Sequence, residues 1–126
     1  MNIEQLDHLV LTVRDINKTI DFYARVMGME IITFGDNRKA LRFGQQKINL
    51  HLVGHEIEPR ADQPIPGSAD LCFISSTPMQ DILQHLKSCN IDPLMPPDTR
   101  TGATHQLLSV YFRDPDNNLI EVSNRL

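Results

Sequence analysis

Four side chains able to bind a divalent cation stand in β-rich stretches of this chain: His8, His51, Asp70 and Glu121. Each lies in a stretch rich in apolar residues, although His8 follows Asp7 directly. A half-buried carboxylate in such a stretch is costly unless it is paired, hydrogen-bonded or bound to a cation. Two imidazoles converging with two carboxylates remove that cost by coordinating one divalent ion. Such a mixed nitrogen and oxygen set, completed by water, suits Zn²⁺, Ni²⁺, Co²⁺, Mn²⁺ or Fe²⁺ alike. Taken singly, each residue has a plainer reading. His8 is then a hydrogen-bonded strand histidine, Glu121 a solvated strand-end residue, and Asp70 the partner of an arginine such as Arg113. Their joint placement is what points to a metal centre. His51 depends most on register, because a shift of one residue turns it to the other side of its strand.

The elements that must carry these residues follow from periodicity. Gln5 to Val13 alternates, with Leu9, Leu11 and Val13 on one face and Leu6, His8, Val10 and Thr12 on the other. Asp15 is a helix N-cap, the helix runs from Ile16 to Met27 with Ile16, Ile20, Tyr23 and Met27 inward, and Gly28 stops it. Strands are expected over Glu30 to Phe34, Lys39 to Phe43 and Lys47 to Val53. Residues 54–67, rich in Pro, Gly and polar groups, read as a linker. The pattern then restarts: a strand over Ala69 to Ser75, and a helix capped by Thr77-Pro78 and running to Ser88 with Met79, Ile82, Leu83 and Leu86 inward. A short strand over Asp92 to Met95 follows, then a polar loop, Pro96 to Thr104. Strands over Gln106 to Arg113 and Asn118 to Ser123, joined by Asp114-Pro115-Asp116-Asn117, complete the second half.

One domain thus contains a duplicated βαβββ unit, the first module over 1–53 and the second over 68–126. Superposing the halves matches His8 with Asp70 in the first strand, and His51 with Glu121 in the last. The long loop before Gln106 absorbs the difference in length.

Composition narrows the class. At 126 residues, 40% hydrophobic and 22% charged, the chain can bury a core and is not disordered overall. A net charge of −4 argues against nucleic acid as a partner. No stretch approaches the roughly 20 apolar residues of a membrane span, and the start, MNIEQLDHLVL, lacks the features of a signal peptide. Cys72 and Cys89 are expected as reduced core thiols in a cytoplasmic protein. Arg100 and His105, in or beside the long loop, are candidate substrate contacts, although a solvated role is the plainer reading. Tyr111, Arg42 and Arg113 are strand residues able to line a pocket, and His85 is expected at the surface.

Three stretches carry a family resemblance: Asp7-His8-Leu9-Val10-Leu11-Thr12-Val13; Thr19-Ile20-Asp21-Phe22-Tyr23 with Gly28-Met29; and Phe112-Arg113-Asp114-Pro115-Asp116-Asn117-Asn118-Leu119-Ile120-Glu121. With them the chain resembles the glyoxalase/bleomycin-resistance/dioxygenase group, the vicinal-oxygen-chelate superfamily, over nearly its whole length. The resemblance implies an α+β fold in which two tandem βαβββ modules form a curved mixed sheet around a central cleft, with helices on the outer face. It also implies a homodimer, which in glyoxalase I members shares each metal site between two chains. Carried over, the ligands are His8, His51, Asp70 and Glu121. The usual glyoxalase order is His, Glu, His, Glu, so imidazole and carboxylate have changed places in the middle.

The implied chemistry is that of a lyase or isomerase of the lactoylglutathione lyase type. The metal holds two neighbouring oxygens of a small-molecule substrate, such as a glutathione adduct, and stabilises an enediolate. Glu121 is the candidate base and Asp70 the alternative. Positions four residues after His8 and His51 help bind glutathione in glyoxalase I; here they are Thr12 and His55 in place of arginine and asparagine. Within the fold, a ring-cleaving dioxygenase would use His8, His51 and Glu121 on Fe²⁺, and a thiol transferase is a further alternative. A non-catalytic protein of the bleomycin-resistance type, sequestering a cationic compound, is the reading from a different class.

Overall fold

A computed structural model describes residues 1–126. The elements are β1 (His8–Val13), α1 (Ile16–Arg25), β2 (Glu30–Phe34), β3 (Arg38–Phe43), β4 (Gln46–Leu52), β5 (Asp70–Ile74), α2 (Met79–Ser88), β6 (Asp98–Thr101), β7 (Gln106–Arg113) and β8 (Leu119–Arg125). They fall into two compact units, Met1–Gly67 and Ser68–Leu126. Each holds one four-stranded mixed sheet, ordered β1-β4-β3-β2 in the first and β5-β8-β7-β6 in the second. In both, the first strand lies parallel to the last, and the other neighbours are antiparallel. This is an α+β fold of two repeated modules. No helix is long and apolar enough to cross a membrane.

Strand parity decides what each sheet buries, because successive side chains point to opposite faces. In the first unit Leu9, Leu11 and Val13 share a face with their register partners Ile48, Leu50 and Leu52. Leu11, Val13, Ile48 and Leu50 are buried there, together with Leu41 of β3. Asp15 caps α1, its side chain accepting the Lys18 amide at 3.0 Å. The buried stripe of α1 is Thr19, Phe22 and Tyr23, whereas Ile16, Ile20 and Met27, expected inward, are only half-buried. Thr19 can face the core because its hydroxyl donates to the Asp15 carbonyl at 2.9 Å. In the second unit α2 buries Met79, Ile82 and Leu86, and the sheet buries Val110, Phe112, Ile120 and Val122.

Three expectations are corrected. The short strand lies at Asp98–Thr101, inside the expected loop, and Asp92 to Met95 is not a strand. Pro93 lacks an amide to give, and only Leu94 bonds to β7, through the Tyr111 carbonyl at 2.9 Å. Asp98-Thr99-Arg100-Thr101 instead supplies alternating β-branched residues and pairs with β7. Thr77 does not cap α2, whose N-cap position is Pro78 with no side-chain hydrogen bond. Neither cysteine is a core residue: Cys72 is exposed and Cys89 half-buried, both as free thiols.

The turns before the two final strands differ. Gly44, at φ +51°, makes the tight connection from β3 to β4. From β7 to β8, the buried Asp114 carboxylate accepts the amides of Asp116 and Asn118, each at 2.9 Å, and the Asn118 side-chain amide at 2.8 Å. Asn117 takes the left-handed conformation at φ +64°. The Asn118 side chain in turn accepts the Ala69 amide at 2.9 Å, tying the start of β8 to the start of β5.

Candidate functional site

The residues of chemical interest lie on the face of each sheet turned away from its buried helix-side residues. In the second unit this far face carries Asp70 and Cys72 of β5, Glu121 and Ser123 of β8, and Tyr111 and Ser109 of β7. Asp70 pairs in register with Leu119 and Cys72 with Glu121. Asp70 and Glu121 are therefore diagonal neighbours on adjacent strands, a separation of roughly 7–8 Å. Asp70 is exposed and makes no ion pair, since Arg113 instead donates to the Asn117 carbonyl at 3.3 Å.

Glu121 belongs to a polar chain. Ser123 Oγ donates to it at 3.3 Å, lies 2.7 Å from Ser109 Oγ, and lies 3.4 Å from Cys72 Sγ. Burial, and then the Glu121 and Asp70 charges, push the Cys72 thiol pKa up against the lowering effect of its Ser123 contact. The thiol is thus held protonated rather than activated. Tyr111 is raised by burial first and then by the Glu121 charge, so its phenol stays protonated too. Arg100 donates through Nε to the Tyr111 hydroxyl at 3.0 Å and through Nη1 to Asp98 at 2.8 Å. Those bonds raise its own pKa and lower that of Asp98. Arg100 is thus a strand residue, paired with Leu107 and bonded through its side chain to Tyr111, not a free loop residue. His105 stays in the β6–β7 turn, exposed, 2.8 Å from the Thr104 hydroxyl.

In the first unit the far face carries His8, Val10 and Thr12 of β1 beside Lys47, Asn49 and His51 of β4. His8 is half-exposed, 2.8 Å from the Asp7 carboxylate. Its register partner is Lys47, and His51 pairs with Thr12. This corrects the superposition of the halves. Glu121 pairs with the residue two beyond Asp70, and the residue standing in that relation to His8 is Asn49. The true counterpart of His51 is Ser123. His51 faces the expected side but lies four residues along from the partner of His8, roughly 13 Å up the strand. One ion with ligand bonds of about 2.0–2.2 Å does not join two imidazoles so separated on one face. Periodicity alone could not find this, since a two-residue slip leaves the facing unchanged. No three His, Cys, Asp or Glu side chains of the chain gather into a group able to hold an ion.

Two residues passed over in the sequence stand out. Asn49 is buried at 6% exposure, and its side-chain carbonyl oxygen has no hydrogen-bond partner. The signal was a polar residue between Ile48 and Leu50. Arg38, diagonal to Asn49 across β3, has a buried Nε that is also unpartnered. Both lie near His51, whose pKa is lowered by burial first and then by the Arg38 charge, against a smaller raising effect of Glu56. His51 is therefore a neutral imidazole at pH 7. A cleft of about 360 Å³ opens beside it, lined in part by Asn37, Arg38, His51 and His55.

The sequence profile of the Glyoxalase/Bleomycin resistance protein/Dioxygenase superfamily matches residues 5–122. The chain belongs to this superfamily. Among curated relatives, Virulence protein STM3117 of Salmonella typhimurium is 55% identical over 123 residues, covering 98% of this chain and 85% of that protein. The crystal structure of STM3117 superposes with a TM-score of 0.98 at 54% identity, covering all of both chains. Glyoxalase domain-containing protein RDO1 of Mycosarcoma maydis is 52% identical over 124 residues, covering 98% of this chain and 70% of that protein. At 20% identity, a lactoylglutathione lyase from Agrobacterium tumefaciens shares the fold, with a TM-score of 0.74 over 98% of this chain and 96% of that one. Glyoxalase-superfamily proteins commonly bind a divalent metal and small molecules, and commonly dimerise.

Proposed function

We propose that this superfamily member is a metal-dependent enzyme of the glyoxalase type, acting in the cytoplasm, as a homodimer, on a small molecule with two adjacent oxygens. The observation that carries the reading is the diagonal pair of Asp70 and Glu121, one pleat apart on the far face of the second module. Two carboxylates so placed, one with no ion pair of its own, suit a divalent cation. His8, the register counterpart of Asp70, is the third donor we assign; because no three such side chains gather within one chain, we assign it and Asn49 to the second chain of the homodimer. Asn49 takes the fourth position in place of His51, and its unpartnered carbonyl oxygen is free to bind the ion or to accept a substrate hydroxyl. When bound, the ion polarises the paired oxygens of the substrate as a Lewis acid.

The remaining work falls to this chain's own residues. Glu121 moves the substrate proton, with Asp70 as the alternative base. Ser123 and Tyr111 beside Glu121 orient its carboxylate, and Arg100 fixes Tyr111. A neutral amide at position 49 gives the four-residue set one nitrogen base where the expected ligands had two. It also weakens the case for glutathione-adduct isomerisation, as does Thr12 in place of arginine.

Metal analysis of the untagged protein tests this. The expected result is about one divalent ion per chain after metal loading, with loss in a His8→Ala, Glu121→Gln double variant. His51→Ala should keep the ion. No ion under replete conditions overturns the enzyme reading in favour of a sequestering protein. Loss of the ion in His51→Ala alone overturns the ligand assignment.

A further inference from the structure

The first module's cleft offers binding chemistry that needs no metal. Three of the chain's arginines have a carboxylate within 3.0 Å: Arg42 with Glu30, Arg60 with Glu58 and Arg100 with Asp98. Arg38 has none. Its guanidinium lies over the Phe34 ring, 4.8 Å from the centroid, and its Nε is buried without an acceptor. Lys47 lies over the same ring, at 4.2 Å, so two cations flank one aromatic side chain. A guanidinium carries N–H donors only, and a buried donor left without an acceptor is costly.

Arg38 also lines a cleft, where an acceptor can approach its guanidinium. The cleft's lining includes Arg38, Lys39, His51, His55 and one acid, Asp36, with Asn37 alongside, and the Lys39 ammonium is taken up by the Thr33 hydroxyl at 2.8 Å. His51, at 5% exposure, is fixed by its place within β4, so part of the wall is a sheet. A volume of about 360 Å³ accommodates a small molecule.

We propose that this cleft is an oxyanion subsite, in which Arg38, with His51 and Asn37 beside it, takes the carboxylate or phosphate group of a small molecule. The guanidinium fork suits either group, and a planar carboxylate and a tetrahedral phosphate share that chemistry. The site uses none of the assigned ligands, though Arg38 is diagonal to Asn49, and its test on metal-free protein separates the two readings.

The test is an NMR titration of the full chain, labelled with ¹⁵N and stripped of metal by chelation. Acetate and inorganic phosphate are added separately, with chloride at matched ionic strength as the control. The expected result is a saturable shift of the Arg38 Nε–H signal and of the amides of 36–39 and 51–57, with a Kd on the order of millimolar for at least one anion. Arg38→Gln should weaken binding by about tenfold or more, while Arg60→Gln leaves it unchanged. Saturation by acetate alone identifies a carboxylate site, and by phosphate alone a phosphate site. No saturable shift with either anion, or an equal shift in Arg38→Gln, overturns the proposal. Should Arg38→Gln lose its dispersed spectrum, His51→Asn decides in its place, with at least a severalfold loss expected and an unchanged affinity counting against the site. Because the protein is metal-free throughout, failure here leaves the metal assignment standing, and failure there leaves this site standing.

Discussion

The two modules share strand order, pairing sense and parity, yet their far faces have diverged in chemistry. The parallel pair β1–β4 presents nitrogen, in His8, Lys47, Asn49 and His51, whereas β5–β8 presents Asp70, Cys72, Glu121 and Ser123. Where the second module joins Ser109 to Ser123 by a 2.7 Å hydrogen bond, the first places Arg38 and His51. At the position where the second has Tyr111 beside Glu121, the first has Ala40 beside Asn49. Hydrophobic parity on the helix side fixes the frame, and the far face is then free to vary residue by residue without disturbing it.

The sharpest way to break this comparison is at the turns into the final strands. Asp114→Ala removes one acceptor from three buried donors and should cost about 3 kcal/mol. Gly44→Ala, with open space around the added methyl group, should cost only about 1 kcal/mol from its left-handed backbone. Urea midpoints measure both, and equal losses would mean the second module does not depend on its side-chain-built turn. A smaller contrast lies on the far faces. Ser123→Ala should lose about 1 kcal/mol with its bonds to Ser109 and Glu121. Asn49→Leu should lose nothing, or gain up to about 1 kcal/mol, because it removes an acceptor that is already unsatisfied. A clear destabilisation by Asn49→Leu would show that its carbonyl has a partner in solution.

The smallest effect is a pH slope. The folded state lowers the pKa of His51 below 6.5, so as pH falls through that value the unfolded chain takes up a proton that the folded chain refuses. The stability contributed by neutral His51 is complete above about pH 6.5 and is lost towards the lower folded pKa. His51→Asn should flatten the stability profile between about pH 7 and 5. An unchanged slope would place the titration elsewhere.

Much of this was legible in the residues. Asp15 as a cap and Gly28 as a stop each follow from local backbone chemistry, and each stands where expected. The duplication was legible because apolar periodicity survives in both halves. Register was not, since Asn49 and His51 share a facing and only the pairing of β4 with β1 tells them apart. The strand at Asp98–Thr101 was missed because Leu94 and Met95 looked apolar enough to pair, while Pro93, Pro96 and Pro97 around them removed the amides a ladder needs. Arg38 was missed because its significance lies in the lack of a partner, which no spacing reveals.

In both modules the first strand closes against the last, so every residue between them forms a loop that folding must tie off. His8 meets Lys47 in the first module, and Asp70 meets Leu119, a longer span, in the second. Closure entropy grows only with the logarithm of loop length, and the longer span costs about 0.2 kcal/mol more. Closure entropy alone therefore sets little penalty on lengthening the segment between α2 and β6. That segment leads into β6, which carries Arg100 to Tyr111, so its length can vary while the β6–β7 ladder keeps its register.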